Sequence, residues 1–269
     1  MAKKILEVCD VSKFYGQKAY RRGGKHKDVQ EASGITRALD HINFFVEEGE
    51  YIAIMGPSGS GKSTLLNCVS TIDEPSSGHI LISGNDITGM GIKELARFRR
   101  EELGFVFQDA NLLDTLTIRE NIALALTISR VSSKEIDMRV EALAKNLSIE
   151  ETLDRYPYEV SGGQRQRAAA ARAVITKPHL VLADEPTGAL DSKSARDLLG
   201  AFSFLNSLGA TIMMVTHDAN VASYCGRIIF IRDGKLWGQL TKGEERRQTF
   251  FERIVETVTH LEEGEPNDC

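Results

Sequence analysis

The chain has 269 residues, which is enough for one large domain or two small ones with a well-formed core. Hydrophobic residues make up 42% and charged residues 26%, as in soluble globular proteins, and no apolar run approaches the ~18 residues of a membrane-spanning helix. The net charge of −5 disfavours nucleic acid as a partner, because bulk attraction to phosphates requires an excess of positive charge. The first residues lack the apolar stretch of a signal peptide, so we expect a cytosolic chain whose four scattered cysteines are free thiols.

Two features precede the first glycine-rich loop. Residues 4–8 alternate weakly and predict an edge strand, and Tyr15 follows as either a packing residue or a flat platform for an adenine ring. Residues 17–37 are polar, glycine-bearing and basic, which is typical of a long solvated loop; contact with anionic lipid or with a partner is the alternative. The basic residues of this segment are Lys18, Arg21, Arg22, Lys25, His26 and Lys27.

The most informative stretch is a glycine-rich loop between a predicted strand and a predicted helix. The apolar run 51–55 predicts a buried strand, and residues 56–63 then fit the phosphate-loop pattern GxxxxGK(S/T) in full. In that pattern backbone N–H groups converge on an anion, Lys62 reaches the β- and γ-phosphates, and Ser63 offers a hydroxyl to Mg²⁺. The loop comprises Gly56, Pro57, Ser58, Gly59, Ser60, Gly61, Lys62, Ser63 and Thr64. A plain glycine–serine loop would not explain the flanking strand and helix, so we expect a nucleoside triphosphate here.

Short elements follow the phosphate loop. Residues 78–83 predict a strand, 84–86 a turn, and 93–100 a helix. Residues 104–107 predict a buried central strand that ends on Gln108. At the carboxyl end of such a strand, Gln108 either offers its amide oxygen to the nucleotide's metal or is only a polar strand end.

Residues 111–158 change from short strands to helices. Thr117 with Glu120 three residues later predicts a capped helix over 117–126, and apolar residues at helical spacing predict a second helix over 133–147. The pattern indicates a helical insertion in an α/β domain. Its apolar faces either belong to the core or dock a partner.

A second anion site is predicted at residues 161–164. Ser161 with Gln164 forms a capping-box pattern, and the alanine-rich run that follows has very high helix propensity. The helix would begin at Gly162 and Gly163, with unhindered N–H groups and a positive dipole end in front of them. A well-capped structural helix is the alternative, but two glycines at a helix start are poorly stabilising and speak against it.

Acidic and histidine side chains follow two further buried strands. Residues 180–184 predict a strand ending in Asp184, which is placed to hold hydrated Mg²⁺, and Glu185 is then placed to orient or polarise an attacking water. After the turn at residues 186–188, a helix is predicted with either Asp191 or Ser192 as its cap. Residues 210–216 predict another strand, and His217 directly after it is expected to contact the γ-phosphate and hold the attacking water.

The last part of the chain closes the domain. Residues 227–232 and 235–240 predict strands, and residues 244–260 predict a helix with a single apolar stripe. The stripe consists of Phe250, Phe251, Ile254, Val255, Val258 and Leu261. Packing against the domain is the default expectation, and contact with a second copy or with a membrane subunit is the alternative.

With these motifs in order, the chain resembles the nucleotide-binding subunits of ABC transporters over nearly its whole length. The resemblance implies an α/β P-loop NTPase fold, with a RecA-like core, an antiparallel β subdomain and an inserted α-helical subdomain. It places the core at residues 1–110 and 159–240, the helical subdomain at 111–158, and a C-terminal helix and tail at 241–269. Segment 17–37 would be a basic loop inserted in the core, longer than expected for the family.

The same resemblance implies a role for each motif. The family's motifs match residues 56–64 (phosphate loop), Tyr15 (adenine stacking), Gln108 (Q-loop), Ser161–Gln164 (signature), Asp184 and Glu185 (magnesium acid and catalytic glutamate), Asp191 (D-loop) and His217 (switch histidine). It implies ATP hydrolysis with Mg²⁺ held by Ser63, Gln108 and Asp184. It also implies a head-to-tail dimer, in which Ser161, Gly162, Gly163 and Gln164 of one copy cover the γ-phosphate bound by the other.

A finer likeness concerns the membrane partner. Residues 184–191 (DEPTGALD) are similar to the lipoprotein-release and macrolide-export branch, whose partners are FtsX-like permeases. Residues 111–117 and 247–251 are most similar to the bacitracin-resistance (Bce-type) ATPases. These act at the cytoplasmic face of the membrane with one large permease against cell-wall-targeting antimicrobial peptides, and with a sensor histidine kinase that reports them.

Two other classes remain. The ATPase could gate a signalling or cell-division partner without moving a solute, because the same motor serves both purposes. A soluble ABC ATPase of DNA repair or translation is disfavoured, since tandem ATPase domains, long coiled coils and zinc-type cysteine pairs are lacking in this sequence.

Overall fold

The computed structural model describes residues 3–16 and 35–263, and the basic residues 18–27 lie outside this range. The strands are β1 (Lys4–Tyr15), β2 (Thr36–Glu47), β3 (Tyr51–Met55), β4 (Ser77–Ile82), β5 (Asn85–Asp86), β6 (Leu103–Val106), β7 (Leu180–Asp184), β8 (Ile212–Val215), β9 (Arg227–Arg232) and β10 (Lys235–Thr241). The helices are α1 (Lys62–Val69), α2 (Ile92–Glu102), α3 (Ile118–Ile128), α4 (Ser133–Asn146), α5 (Gly162–Val174), α6 (Ser192–Ser207), α7 (Ala219–Ala222) and α8 (Arg247–Glu263).

A six-stranded sheet forms the centre of the fold, in the order β10-β9-β3-β8-β7-β6. All neighbouring pairs are parallel except β9 and β10. Parallel strands are covered on both faces, which explains why β3 and β8 are buried at every residue. In the register, Val215 lies opposite both Ile54 and Asp184, so β3, β8 and β7 end at the same edge of the sheet.

A smaller antiparallel sheet has the order β2-β1-β4-β5 and packs over α1 through a second apolar cluster. The prediction of an edge strand at residues 4–8 is wrong, because β1 is twelve residues long and lies between β2 and β4. Register shifts interrupt its pairing with β2, and one of them lies between Val8 and Val11, where Asp10 has a φ of 55°. The expected antiparallel β subdomain is therefore present.

Two further local predictions, at residues 17–37 and 84–86, need correction. Residues 36 and 37 of the predicted loop 17–37 belong to β2 instead, and residues 17–34 lie outside the described residues. The predicted turn 84–86 is also shifted: the turn is Ser83–Gly84, with φ of 48° and 78°, and residues 85–86 already pair with β4. Two consecutive positive φ values are typical of the tight turns that match strand twist.

The helical insertion forms as predicted. Thr117 accepts a hydrogen bond from the N–H of Glu120 and the Glu120 carboxylate accepts one from the N–H of Thr117, which is the expected capping box. Asn121, on the first turn of α3, is fully buried. Its side chain accepts from the N–H of Leu113 and donates to the carbonyl oxygens of Leu113, Leu116 and Thr117. This side chain therefore fixes the backbone of residues 113–117 against the start of α3.

The C-terminal helix α8 packs against α7 and belongs to the apolar cluster on one face of the large sheet, so the default prediction is confirmed. Phe250 and Ile254 are fully buried, and Leu261 is 1% exposed. Positions i, i+4 and i+11 share one helix face. Val255 does not belong to that face and is 42% exposed. None of the helices in the described ranges is long and apolar enough to cross a membrane.

We predict that Phe250→Ala lowers the free energy of unfolding by about 3–5 kcal/mol, because it removes a fully buried aromatic ring and leaves a cavity. The control is Val255→Ala on the exposed side of the same helix, with an expected change within about 0.5 kcal/mol. Urea denaturation measures both values. Equal losses for the two variants would contradict the assignment of α8 to the core.

Candidate functional site

Glycine is required at two positions of the phosphate loop because the backbone of neighbouring strands lies against it. Gly61 has a φ of 105°, and a Cβ there would lie 2.4 Å from the carbonyl oxygen of Ala38 in β2. A Cβ on Gly56 would lie 2.0 Å from the carbonyl oxygen of Ile231 in β9. The loop is therefore held between the two sheets, and its glycines follow from sterics as well as from phosphate binding.

Lys62 is buried beneath this loop. Its Nζ donates hydrogen bonds to the carbonyl oxygens of Gly56 (2.8 Å) and Pro57 (2.7 Å). Burial lowers the pKa of Lys62, while the negative charges of Glu185 and Asp184 oppose that shift. An ammonium group has three donors, so one is left for an anion in front of the loop.

Ser60 offers a buried hydroxyl that fits an anion-binding loop. Its hydroxyl is buried and has no hydrogen-bond partner among the described residues, although buried polar atoms are normally satisfied. The carbonyl oxygen of Ser60 accepts a hydrogen bond from the N–H of Gly234 (3.0 Å), and the carbonyl of Gly234 accepts one from the N–H of Asp40 (2.8 Å). The hairpin between β9 and β10 thus braces the phosphate loop from behind.

Asp40 holds this brace in place and was not predicted from the sequence. Its carboxylate accepts from Arg37 (2.9 Å) and lies 3.3 Å from the Nζ of Lys235. Burial raises the pKa of Asp40, but the hydrogen bonds from Arg37 and Lys235 outweigh burial and leave the pKa below its ordinary value. An aspartate within a strand carries no local signal for this role.

The acidic pair lies where predicted. Asp184 is the last residue of β7, and Glu185 follows with a φ of 42°, which turns its side chain away from the strand direction. Burial raises the pKa of Asp184, the charge of Glu185 raises it further, and Lys62 opposes both. The Nδ1 atom of His217 lies 2.9 Å from Oε1 of Glu185, so the predicted switch histidine and the predicted catalytic glutamate are brought together.

Gln108 is displaced from its predicted setting. The strand before it, β6, is an edge strand and ends at Val106, so the prediction of a central strand is wrong. The Gln108 amide lies against Gly188, where a Cβ would be 3.0 Å from Nε2. Gln108 therefore lies beside the turn that follows Glu185, which is still the acidic side of the site.

Tyr15 is held in one place at the end of β1. Its hydroxyl donates to the carboxylate of Asp73 (2.7 Å), and the Nζ of Lys13 lies 5.0 Å from the ring centre. Burial raises the pKa of Tyr15 to about 12, and the hydrogen bond to Asp73 contributes to the same shift. The ring is 41% exposed, so part of its surface is open to a ligand.

The signature segment starts α5 as predicted. The hydroxyl of Ser161 accepts from the N–H of Gln164, and the Gln164 amide oxygen accepts from the N–H of Ser161. A Cβ on Gly163 would lie 2.8 Å from the side chain of Ser194, the third residue of α6. The second glycine is therefore needed for the close contact of the two helices, which the prediction from helix propensity did not include.

Asp191 starts α6 beside this segment. Its Oδ1 accepts from the N–H groups of Lys193 (2.9 Å) and Ser194 (3.0 Å), and its Oδ2 accepts from the Ser194 hydroxyl (2.6 Å). Hydrogen bonds from Ser194, and then from Lys193, lower the pKa of Asp191. The predicted cap is confirmed.

The chemistry of three predicted ligands fits Mg²⁺. Ser63, Gln108 and Asp184 offer a hydroxyl, an amide oxygen and a carboxylate, which are the hard oxygen donors that this ion prefers. Burial, and then the charge of Glu185, keep the pKa of Asp184 raised although Lys62 opposes both. A divalent cation would supply the missing positive charge.

Phosphate loop, acidic pair and signature segment together define an ATP-binding cassette. The family model of ABC transporters matches residues 39–188, more than half of the chain, so the chain belongs to the ABC transporter family. It is 52% identical over 254 residues to the bacitracin export ATP-binding protein BceA of Halalkalibacterium halodurans, covering 94% of this chain and 95% of that protein. It is 50% identical over 266 residues to the ABC transporter ATP-binding protein YxdL of Bacillus subtilis, covering 98% of this chain and 96% of that protein.

A solved structure shares the fold. The dimeric ATP-binding cassette MJ0796, in a post-hydrolysis state bound to ADP and Pi, superposes with a TM-score of 0.74 at 36% identity, covering 88% of this chain and 98% of that chain. The chain is therefore an ATP-binding subunit of the ABC transporter type and an ATPase.

We predict that Asp184→Asn raises the Tm of the nucleotide-free protein at pH 7. Because its pKa is raised in the folded state, ionised Asp184 destabilises the fold above its unfolded pKa of about 3.9. The penalty sets in as pH rises through the interval between the unfolded and folded pKa values, so the advantage of the amide should shrink as pH falls towards about 4. Thermal denaturation across pH measures it.

Asp191→Ala is the comparison of opposite sign. The pKa of Asp191 is lowered in the folded state, so its loss should lower the Tm at pH 7. A lower Tm for Asp184→Asn at pH 7 would contradict the stated electrostatics.

Proposed function

We propose that the chain is the motor subunit of an antimicrobial-peptide transporter, and that two copies close head to tail around two ATP molecules. The proposal rests on one observation above all: the two segments predicted to bind anions, the phosphate loop and the signature segment, have different neighbours in the fold. The phosphate loop lies between the two sheets, whereas the signature glycines have Leu190 and Ser194 as their nearest neighbours. A second copy gives the signature segment a phosphate to bind.

Within one site, the residues divide the work. Tyr15 stacks on the adenine, the N–H groups of residues 56–64 bind the phosphates, and Lys62 turns its ammonium towards the β- and γ-phosphates. Mg²⁺, when held by Ser63, Gln108 and Asp184, neutralises charge on the phosphate oxygens. The second copy of the chain contributes Ser161, Gly162, Gly163 and Gln164 to this site. Asp191 of that copy lies beside them at the start of α6.

Hydrolysis is assigned to Glu185 and His217. The Glu185 carboxylate accepts a proton from the attacking water, and its 2.9 Å contact with His217 fixes its orientation. The imidazole also reaches the γ-phosphate from the end of β8. Both side chains are fixed by strands of the parallel sheet, so their separation is set before nucleotide binds.

The partner is proposed to be an FtsX-like permease, formed by one large subunit, which holds the dimer at the cytoplasmic face of the membrane. Support comes from the similarity to a protein named for bacitracin export and from the DEPTGALD sequence at residues 184–191. Through that permease a sensor histidine kinase would report the peptide. The substrate class is a cell-wall-targeting antimicrobial peptide.

We predict that Glu185→Gln lowers kcat at least about 100-fold, because it removes the proton acceptor while keeping the shape of the side chain. MgATP should then accumulate in a dimer that size-exclusion chromatography with light scattering detects. Glu256→Gln, an exposed glutamate of α8, is the matched control and should leave kcat unchanged. A Glu185→Gln variant that stays monomeric with ATP, or that keeps its turnover, would refute the mechanism.

We predict that Lys62→Ala on the chromosome of the native host makes the cells several-fold more sensitive to bacitracin-type peptides, because nucleotide binding weakens and the motor stops. Broth dilution measures the minimal inhibitory concentration, with Glu256→Gln as the control strain. A transcriptional reporter for the peptide response, measured in the same strains, distinguishes transport from the alternative of signalling without transport. Unchanged resistance with an altered response would instead favour an ATPase that gates a membrane partner without transporting a solute.

A further inference from the structure

Gln166 is a buried side chain of α5 to which none of the functions above assigns a task. It is 2% exposed and lies five residues after Ser161. Its Nε2 lies 2.9 Å from the carbonyl oxygen of Phe107, 2.6 Å from that of Gln108 and 3.0 Å from that of Pro186. One amide group thus links α5 to the backbone of residues 107–108 and to the backbone of Pro186.

The three carbonyl oxygens belong to the two segments that carry the chemistry. Those of Phe107 and Gln108 set the backbone from which the Gln108 side chain extends. That of Pro186 directly follows Glu185. The first turn of α5 therefore presents the signature segment outwards, and the next turn holds the metal-side and water-side segments of the same copy.

The energetics of this arrangement favour a positioning role over simple core filling. An amide has two N–H donors, so three acceptors must share them. The Oε1 atom of Gln166 is buried and has no partner among the described residues, which is unfavourable because burial removes its hydration. An apolar side chain of equal size would avoid that cost but would leave the backbone carbonyls without this donor.

Arg172 extends the same contact along α5. Its guanidinium donates to the carbonyl oxygens of Ala110 (3.0 Å) and Asn111 (2.6 Å). Gln166 and Arg172 are six residues apart and both hold the chain between residues 107 and 111. The Q-loop backbone is thus attached to α5 at two points, and Gln166 is the only one of these two side chains that also reaches the turn after Glu185.

We propose that Gln166 is a positioning residue that links the two ATP sites of the dimer. When the signature segment of one copy closes on the nucleotide of the other, the start of α5 is fixed. Gln166 then transmits that constraint to Gln108 and to the turn after Glu185 in its own copy. The inference rests on the proposed head-to-tail dimer, because only a second copy engages the signature segment.

A double-mutant cycle on the purified full chain tests the link. Gln166→Met keeps the length of the side chain and removes the donors; it should lower kcat for MgATP by about 10- to 100-fold, the cost of misplacing catalytic groups by about 1 Å. The KM for MgATP should change less than about twofold, since the phosphate loop is untouched. In a Gln108→Ala background the same substitution should lower kcat less than about threefold, because its main target is gone.

Other outcomes decide against the inference. Independent factors that multiply in the double variant, or a Gln166→Met variant with wild-type kcat, would overturn it. Gln248→Met, the same change at an exposed glutamine of α8, is the matched control. If Gln166→Met lowers the Tm so far that the protein does not fold, the cycle is repeated with Gln166→Glu, which keeps the shape and, when protonated, one donor.

The dimer assay separates this inference from the proposed function. In the Glu185→Gln background, Gln166→Met should still give the ATP-bound dimer, since Ser161–Gln164 are intact. Absence of that dimer in Glu185→Gln alone would refute the proposed function. Its presence together with a multiplicative cycle would refute the role of Gln166 only.

Discussion

The site depends on the parallel pairing of β3, β8 and β7. The ladder continues one residue past the strands: the N–H of Thr216 donates to the carbonyl of Ile54 (3.2 Å), and that of Glu185 donates to the carbonyl of Val215 (2.9 Å). These bonds fix the phosphate loop, the residue before His217 and Glu185 relative to one another. Charged groups emerge only where the buried apolar runs end, because ionised groups inside the sheet would lack solvation.

Charge balance explains why this edge of the sheet is suited to bind both a cation and an anion. Two carboxylates, Asp184 and Glu185, share one buried ammonium, that of Lys62, and the hydroxyl of Ser60 has no partner. Mg²⁺ would balance the acids, and phosphate oxygens would satisfy the ammonium and the N–H groups of the loop. A magnesium nucleotide would therefore supply both the positive and the negative charge that these side chains would bind.

Features that depend on residues close together in the sequence could be predicted, and features that depend on distant residues could not. The helix starts at Thr117, Ser161 and Asp191 were predicted because a cap depends on residues two or three positions apart. The motifs at the strand ends were predicted because each follows its own apolar run. The neighbours of β1 and the edge position of β6 could not be predicted, since strand pairing joins distant segments. Gln166 was missed for the same reason: its three acceptors come from chain segments 20 to 59 residues away.

Tyr15 adds a consequence for binding entropy. An exposed aromatic side chain on a strand end would normally sample several rotamers and lose that freedom when a base stacks on it. Here the hydroxyl is bonded to Asp73 and the ring lies beside Lys13, so the rotamer is already selected. The loss of side-chain freedom, on the order of 1 kcal/mol, then belongs to folding and not to nucleotide binding. A nucleobase that stacks on this ring would therefore not have to restrict the rotamers of the side chain.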